Sequence, residues 1–149
     1  MRTQGRLSID PGNIEPEPYS SEIEVVVPYT GYATTRAVLE RTVALTAGLS
    51  ARISLVAIHT VPYPADFRCP ISVHSFLVEQ LVCLSSRCEL PVDAQVVLAR
   101  TFEDGFRRVL KPQSTVLIGS RRRLWRTSEE RIASALVLDG HKVVLVHVA

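Results

Sequence analysis

The sequence predicts a doubly wound α/β domain: five parallel strands with helices on both faces of the sheet. Three observations predict it. Five short apolar runs, most of them β-branched, recur along the chain. Segments with helical spacing separate them. Proline or glycine closes most of these segments. Strands alternating with helices imply a parallel sheet, and right-handed crossovers place helices on both of its faces.

The chain has 149 residues, which suits one domain. At that size a fold buries roughly 68–70% of its unfolded surface and needs no disulfide or metal to hold it. Apolar residues make up 46% and charged residues 21%, both ordinary for a globular protein. The net charge of +2 gives no general drive toward nucleic acid. Cys69, Cys83 and Cys88 are odd in number and follow no ligand spacing. They read as free thiols in a reducing compartment. No apolar stretch reaches the ~18 residues that span a membrane, and the opening residues lack the apolar core of a signal peptide. The cytoplasm is the expected location.

Residues 1–21 carry Pro11, Gly12, Pro16 and Pro18 and few large apolar groups. They bury too little to offset the entropy of ordering and are expected to form a mobile tail. The folded domain is expected over 22–149. Val25-Val26-Val27, closed by Pro28 and Gly31, suits a strand buried on both faces. Residues 34–50 read as a helix with Val38, Leu45 and Leu49 inward, Ala37 and Ala44 beside them, and Thr34 or Thr35 as its cap. Residues 53–61 form the second run, stopped by Pro62 and Pro64. The spacing of Leu77, Leu81, Leu84 and Cys88 predicts a helix over 74–90, ended by Pro91.

Residues 93–99 are the third strand. A short helix over 103–111 turns Phe102, Phe106, Val109 and Leu110 inward, with Glu103 and Asp104 at its positive end. Residues 114–119 are the fourth strand. Thr127 and Glu130 have the spacing of a capping box and start a helix over 127–139. Its inner side is Ile132, Ala135 and Leu136, and Gly140 suits its end. Residues 142–148 are the fifth strand.

That order also fits flavodoxin-like and Rossmann-like folds. Three segments narrow it: VVVPYTGYATTRAVLERTVAL over 25–45, LVAIHTVPYP over 55–64, and RTFEDGFRRVLKPQSTVLIGSRRR over 100–123. Together they resemble the universal stress protein family, across about residues 22–148. The resemblance implies the adenine-nucleotide-hydrolase-like fold, a stress-response or regulatory role, and a homodimer. In the family the last strand forms the subunit contact, which points here to Val143, Val144, Leu145 and Val146. An edge strand of that composition is also a template for another chain on physical grounds.

In an open α/β sheet a ligand sits beyond the carboxyl ends of the strands, where strand order reverses. The candidate crevice therefore joins Pro28, Tyr29, Thr30 and Gly31, after the first strand, to Ile118, Gly119, Ser120, Arg121 and Arg122, at the end of the fourth. ATP-binding members of the family carry an Asp in the first turn and G-x2-G-x9-G-[S/T] after the fourth strand. Here Thr30 stands where the Asp is expected, Arg122 replaces the second glycine, and Ile132 and Ala133 replace the final pair. These departures disfavour ATP held in the family's usual manner. No cofactor is expected to be required. The alternative is a sensor for an adenine nucleotide or another phosphate-bearing anion, because Arg121, Arg122, Arg123 and Arg126 precede a helix N-terminus. Trp125 would then stack on a base or on an arginine. The competing reading is a solvated basic loop with Trp125 covering the core, and the neighbouring Glu129 and Glu130 favour it.

His59, at the end of the second strand, reads as a packed residue. His74, His141 and His147 lie in separate elements without partners at ligand spacing, so no metal is expected. The I-G-S-R stretch is not a hydrolase elbow, and no nucleophile, base and orienting group must converge. The chain reads as a binding or regulatory module rather than an enzyme.

Overall fold

The computed structural model describes residues 22–61, 71–120 and 128–148. The expected tail over 1–21 lies outside them. Nine elements follow in chain order: β1 (Ile23–Pro28), α1 (Tyr32–Leu45), β2 (Ala51–Thr60), α2 (Ile71–Arg87), β3 (Val92–Ala99), α3 (Phe102–Val109), β4 (Thr115–Ser120), α4 (Ser128–Leu138) and β5 (Lys142–His147). The strands form one sheet in the order β3-β2-β1-β4-β5. Every pairing is parallel. The doubly wound five-stranded α/β fold predicted from the sequence is the one observed.

Alternation along the central strands divides the core in two. Val25 and Val27 of β1 join Ile53, Leu55 and Leu117 under Val38 and Leu39 of α1 and Leu81 and Leu84 of α2. Val26, Val56, Val116 and Ile118 point to the other face, against Phe106 of α3 and Ile132, Ala133 and Leu136 of α4. At ~25 cal/mol per Å² of apolar surface, this double-sided burial supplies the main stabilising term.

The buried face of α1 differs from the expected one. Thr34, Thr35, Val38, Leu39 and Thr42 are buried, while Leu45 and Leu49 are more than half exposed. Threonines can occupy this face because their hydroxyls find partners within the helix. Thr42 Oγ1 donates to the Val38 carbonyl at 2.8 Å, and Thr46 Oγ1 to the Thr42 carbonyl at 2.8 Å. Neither Thr34 nor Thr35 caps the helix. It starts earlier, after Gly31, which makes no side-chain cap bond. It also ends earlier, in a turn whose Gly48 has φ +82°.

Thr101 caps α3, accepting from the Asp104 N–H at 3.1 Å. Phe102 stays 38% exposed because it opens the helix, whereas Phe106 one turn on is buried. Thr127, the proposed cap of α4, lies outside the described residues. Gly140 follows α4 at φ +89°, a conformation that favours glycine.

Gly119 fixes how closely α1 approaches the sheet. A Cβ there would lie 2.4 Å from Thr34 Cγ2 and 3.0 Å from Val38 Cγ2. Replacing Gly119 with alanine is expected to cost about 1–3 kcal/mol, because the helix must move off β4. In urea denaturation, Thr34→Ser, which removes the clashing methyl, should restore part of that loss in the double variant. Strict additivity of the two changes would contradict this packing account.

Candidate crevice and sheet edge

In the order β3-β2-β1-β4-β5 the chain winds one way from β1 and then crosses to β4 on its other side. The switch point thus lies between β1 and β4, where the sequence placed it. Pro28 ends β1 and Ser120 ends β4, and both are buried.

The turn after β1 is held by backbone and hydroxyl bonds. The Tyr29 N–H donates to the Val56 carbonyl at 2.8 Å. The Thr30 N–H donates to Thr35 Oγ1 at 3.1 Å, so a hydroxyl inside the first turn of α1 ties back the loop that leads into it. Gly31 has φ +128°, a backbone shape that side-chain-bearing residues rarely adopt, and open space lies beside its α-carbon. Thr30 Oγ1 is buried without a hydrogen-bond partner. Burial raises the pKa of the Tyr29 phenol. Sequence reasoning missed the role of Thr35. Its signal is a hydroxyl five residues beyond the turn, on the helix face that meets the sheet.

The crevice residues divide by role. Tyr29, Thr30 and Gly31 form the turn after β1, and Gly119 and Ser120 end the neighbouring strand. Ile118 is fully buried on the face that meets α3 and α4, so its side chain belongs to the core. Gly119 is explained by the packing of Thr34 and Val38. Arg121, Arg122, Arg123, Trp125 and Arg126 lie outside the described residues. His59 sits near the end of β2, opposite Leu98 of β3, and is half-buried. His141 is structural: its Nδ1 accepts the Ser114 N–H at 3.1 Å, joining the starts of β4 and β5. Among the described residues no group of three His, Cys, Asp or Glu side chains could hold a metal ion. Among the same residues no helix is long and apolar enough to cross a membrane.

The two sheet edges differ in chemistry. On β3 the exposed residues are Asp93, Ala94 and Gln95, and Asp93 pairs with Arg52 at 2.9 Å. On β5, Val144 and Leu145 are 43% and 44% exposed. A groove of about 590 Å³ separates β5 from α4, with Val137, Leu138, Val143 and Leu145 among its walls. A second, of about 430 Å³, separates β5 from α1, with Leu45 and Val144 among its walls. Leu45, Val137 and Leu138 are all exposed. Phe76, Val78 and Val82 of α2 are also exposed, with Phe76 on a different side of the helix from Val78 and Val82. The sequence reading named only β5. The signal it passed over was the run Leu136-Val137-Leu138, three apolar residues that cannot all face inward on one helix.

No family model and no curated protein sequence matches the chain. Solved structures do. A universal stress protein from Archaeoglobus fulgidus aligns with a TM-score of 0.62 at 14% identity, covering 83% of this chain and 92% of that one. A universal stress protein crystallised in complex with cAMP aligns with a TM-score of 0.56 at 12% identity, covering 85% of this chain and 98% of that one. The sheet order, the paired helices on each face and the extent of these alignments agree: the chain has the fold of the universal stress proteins.

Proposed function

We propose that the chain is a universal-stress-protein-like regulatory domain that works as a homodimer joined through β5 and performs no chemistry of its own. The observation that carries this reading is the apolar surface around the β5 edge. Val144 and Leu145 lie on the strand, with Leu45 on one side and Val137 and Leu138 on the other. Exposed Lys142 and His147 at its two ends protect the β5 edge only weakly, a weakly protected edge strand invites pairing, and exposed apolar residues beside it gain from being covered. The described residues of the two turns offer the Tyr29 phenol, the Thr30 and Ser120 hydroxyls and backbone amides, all of them groups that can bind a ligand.

Sedimentation of the purified chain at tens of micromolar should give a dimer, and Leu145→Asp should shift it to a folded monomer. A wild-type monomer at that concentration would sink the dimer reading.

A second reading makes the crevice a sensor for an adenine nucleotide or another phosphate-bearing anion. Three features favour it: the open flank of Gly31, the unpartnered Thr30 hydroxyl, and the arginines that follow Ser120 in the sequence. Backbone N–H groups at a helix start attract anions, and one structure of similar fold is a complex with cAMP. Calorimetry with ATP, AMP and cyclic nucleotides should then give heat, and millimolar ligand should raise the melting temperature. Neither heat nor a shift would leave the dimeric module without a nucleotide ligand.

A further inference from the structure

The hydrogen bonds of β5 and the exposure of its side chains define how a second copy would dock. The Lys142 N–H donates to the Ser114 carbonyl and the Val148 N–H to the Ser120 carbonyl, both at 2.9 Å. Along a strand, the N–H and C=O of one residue point the same way, and the direction alternates from residue to residue. Even-numbered residues of β5 therefore bond inward to β4. Val143, Leu145 and His147 present their N–H and C=O groups to the free edge.

A two-fold axis normal to an antiparallel strand pair sets one residue opposite its own copy. Exposure selects which residue that is. Val144 and Leu145 are 43% and 44% exposed, while Val146 is 7% exposed and already part of the core beneath α1. We propose that the second copy pairs antiparallel to β5 about a two-fold axis at Val144. Val144 then meets its own copy on the α1 face. Val143 lies opposite Leu145 of the partner subunit on the α4 face, twice by symmetry, with backbone bonds between those outward groups. An axis one residue later, at Leu145, would set apolar Val143 against His147 of the partner subunit. It would also spend Val144 on the partner's Val146, whose side chain is already covered.

The flanking surface agrees with this register. A standard interface buries about 800 Å² per partner, more than a six-residue strand supplies alone. Exposed Val137 and Leu138 wall the same groove as Val143 and Leu145, and exposed Leu45 walls the same groove as Val144. An axis at Val144 centres the contact among them. This inference rests on the dimer proposed above and adds its register.

Cysteine cross-linking in the full chain tests it, with Cys69, Cys83 and Cys88 replaced by serine. Opposed residues of a non-hydrogen-bonded antiparallel pair have α-carbons ~4.5 Å apart, inside the range of roughly 4.4–6.8 Å that a disulfide accepts. Val144→Cys should therefore become a covalent dimer under mild oxidation, reversed by reductant. Leu145→Cys should stay largely uncrosslinked, because its own copy would be a diagonal neighbour ~7–8 Å away. Preferential cross-linking at Leu145→Cys overturns the register. So does the failure of both variants to cross-link while the cysteine-free parent sediments as a dimer. A cysteine-free parent and a wild-type chain that both sediment as monomers overturn the dimer reading along with the register.

Discussion

A parallel sheet needs cover on both faces, and in the described residues four helices share the task of covering five strands. That constraint organises the molecule. Strand order β3-β2-β1-β4-β5 puts β1 at the centre, with α1 and α2 over one face and α3 and α4 over the other. The inner strands are covered twice and read as continuous apolar runs. α1 must lie close against β4 to close its face, and Gly119 is the residue that lets it. The same approach brings Thr35 to the turn after β1, where it accepts the Thr30 N–H. The shape of the turn beside the switch point thus follows from how the sheet is covered.

The cover runs out at β5. α1 and α4 flank that strand and leave a groove on each side. At the opposite edge, β3 exposes Asp93 and Gln95, and the Arg52–Asp93 ion pair sits beside them. Charge on an edge strand discourages further pairing. Exposed Val144 and Leu145 do the reverse. The asymmetry gives the molecule one charged edge and one apolar edge, and the homodimer proposed above would use the second.

Much of the fold was legible from periodicity. All five strands and four helices were placed in order, because an apolar strand and an amphipathic helix leave different spacings. Helix boundaries and faces were less legible, for identifiable reasons. α1 starts at Tyr32 because the φ of Gly31, not a capping hydroxyl, ends the preceding turn. Its buried face is rich in threonine, which reads as polar until the intrahelical bonds of Thr42 and Thr46 are seen. Leu45 shares the helical spacing of Val38 and so reads as a core residue, yet it faces the groove beside β5. The switch point between β1 and β4 was legible, since the strand order alone sets it. Its chemistry was less so: Ile118 belongs to the core, and a lone glycine motif does not distinguish approach to a phosphate from approach to a helix.

Amide hydrogen exchange along β5 tests the central claim most directly, because inward and outward amides alternate on one strand. The account predicts that the Val143 and Leu145 amides are protected at concentrations that favour the dimer and lose protection on dilution. The Val144 and Val146 amides, bonded to β4, should stay protected throughout. Fast exchange at Val143 and Leu145 at every concentration, beside protected Val144 and Val146, would contradict it.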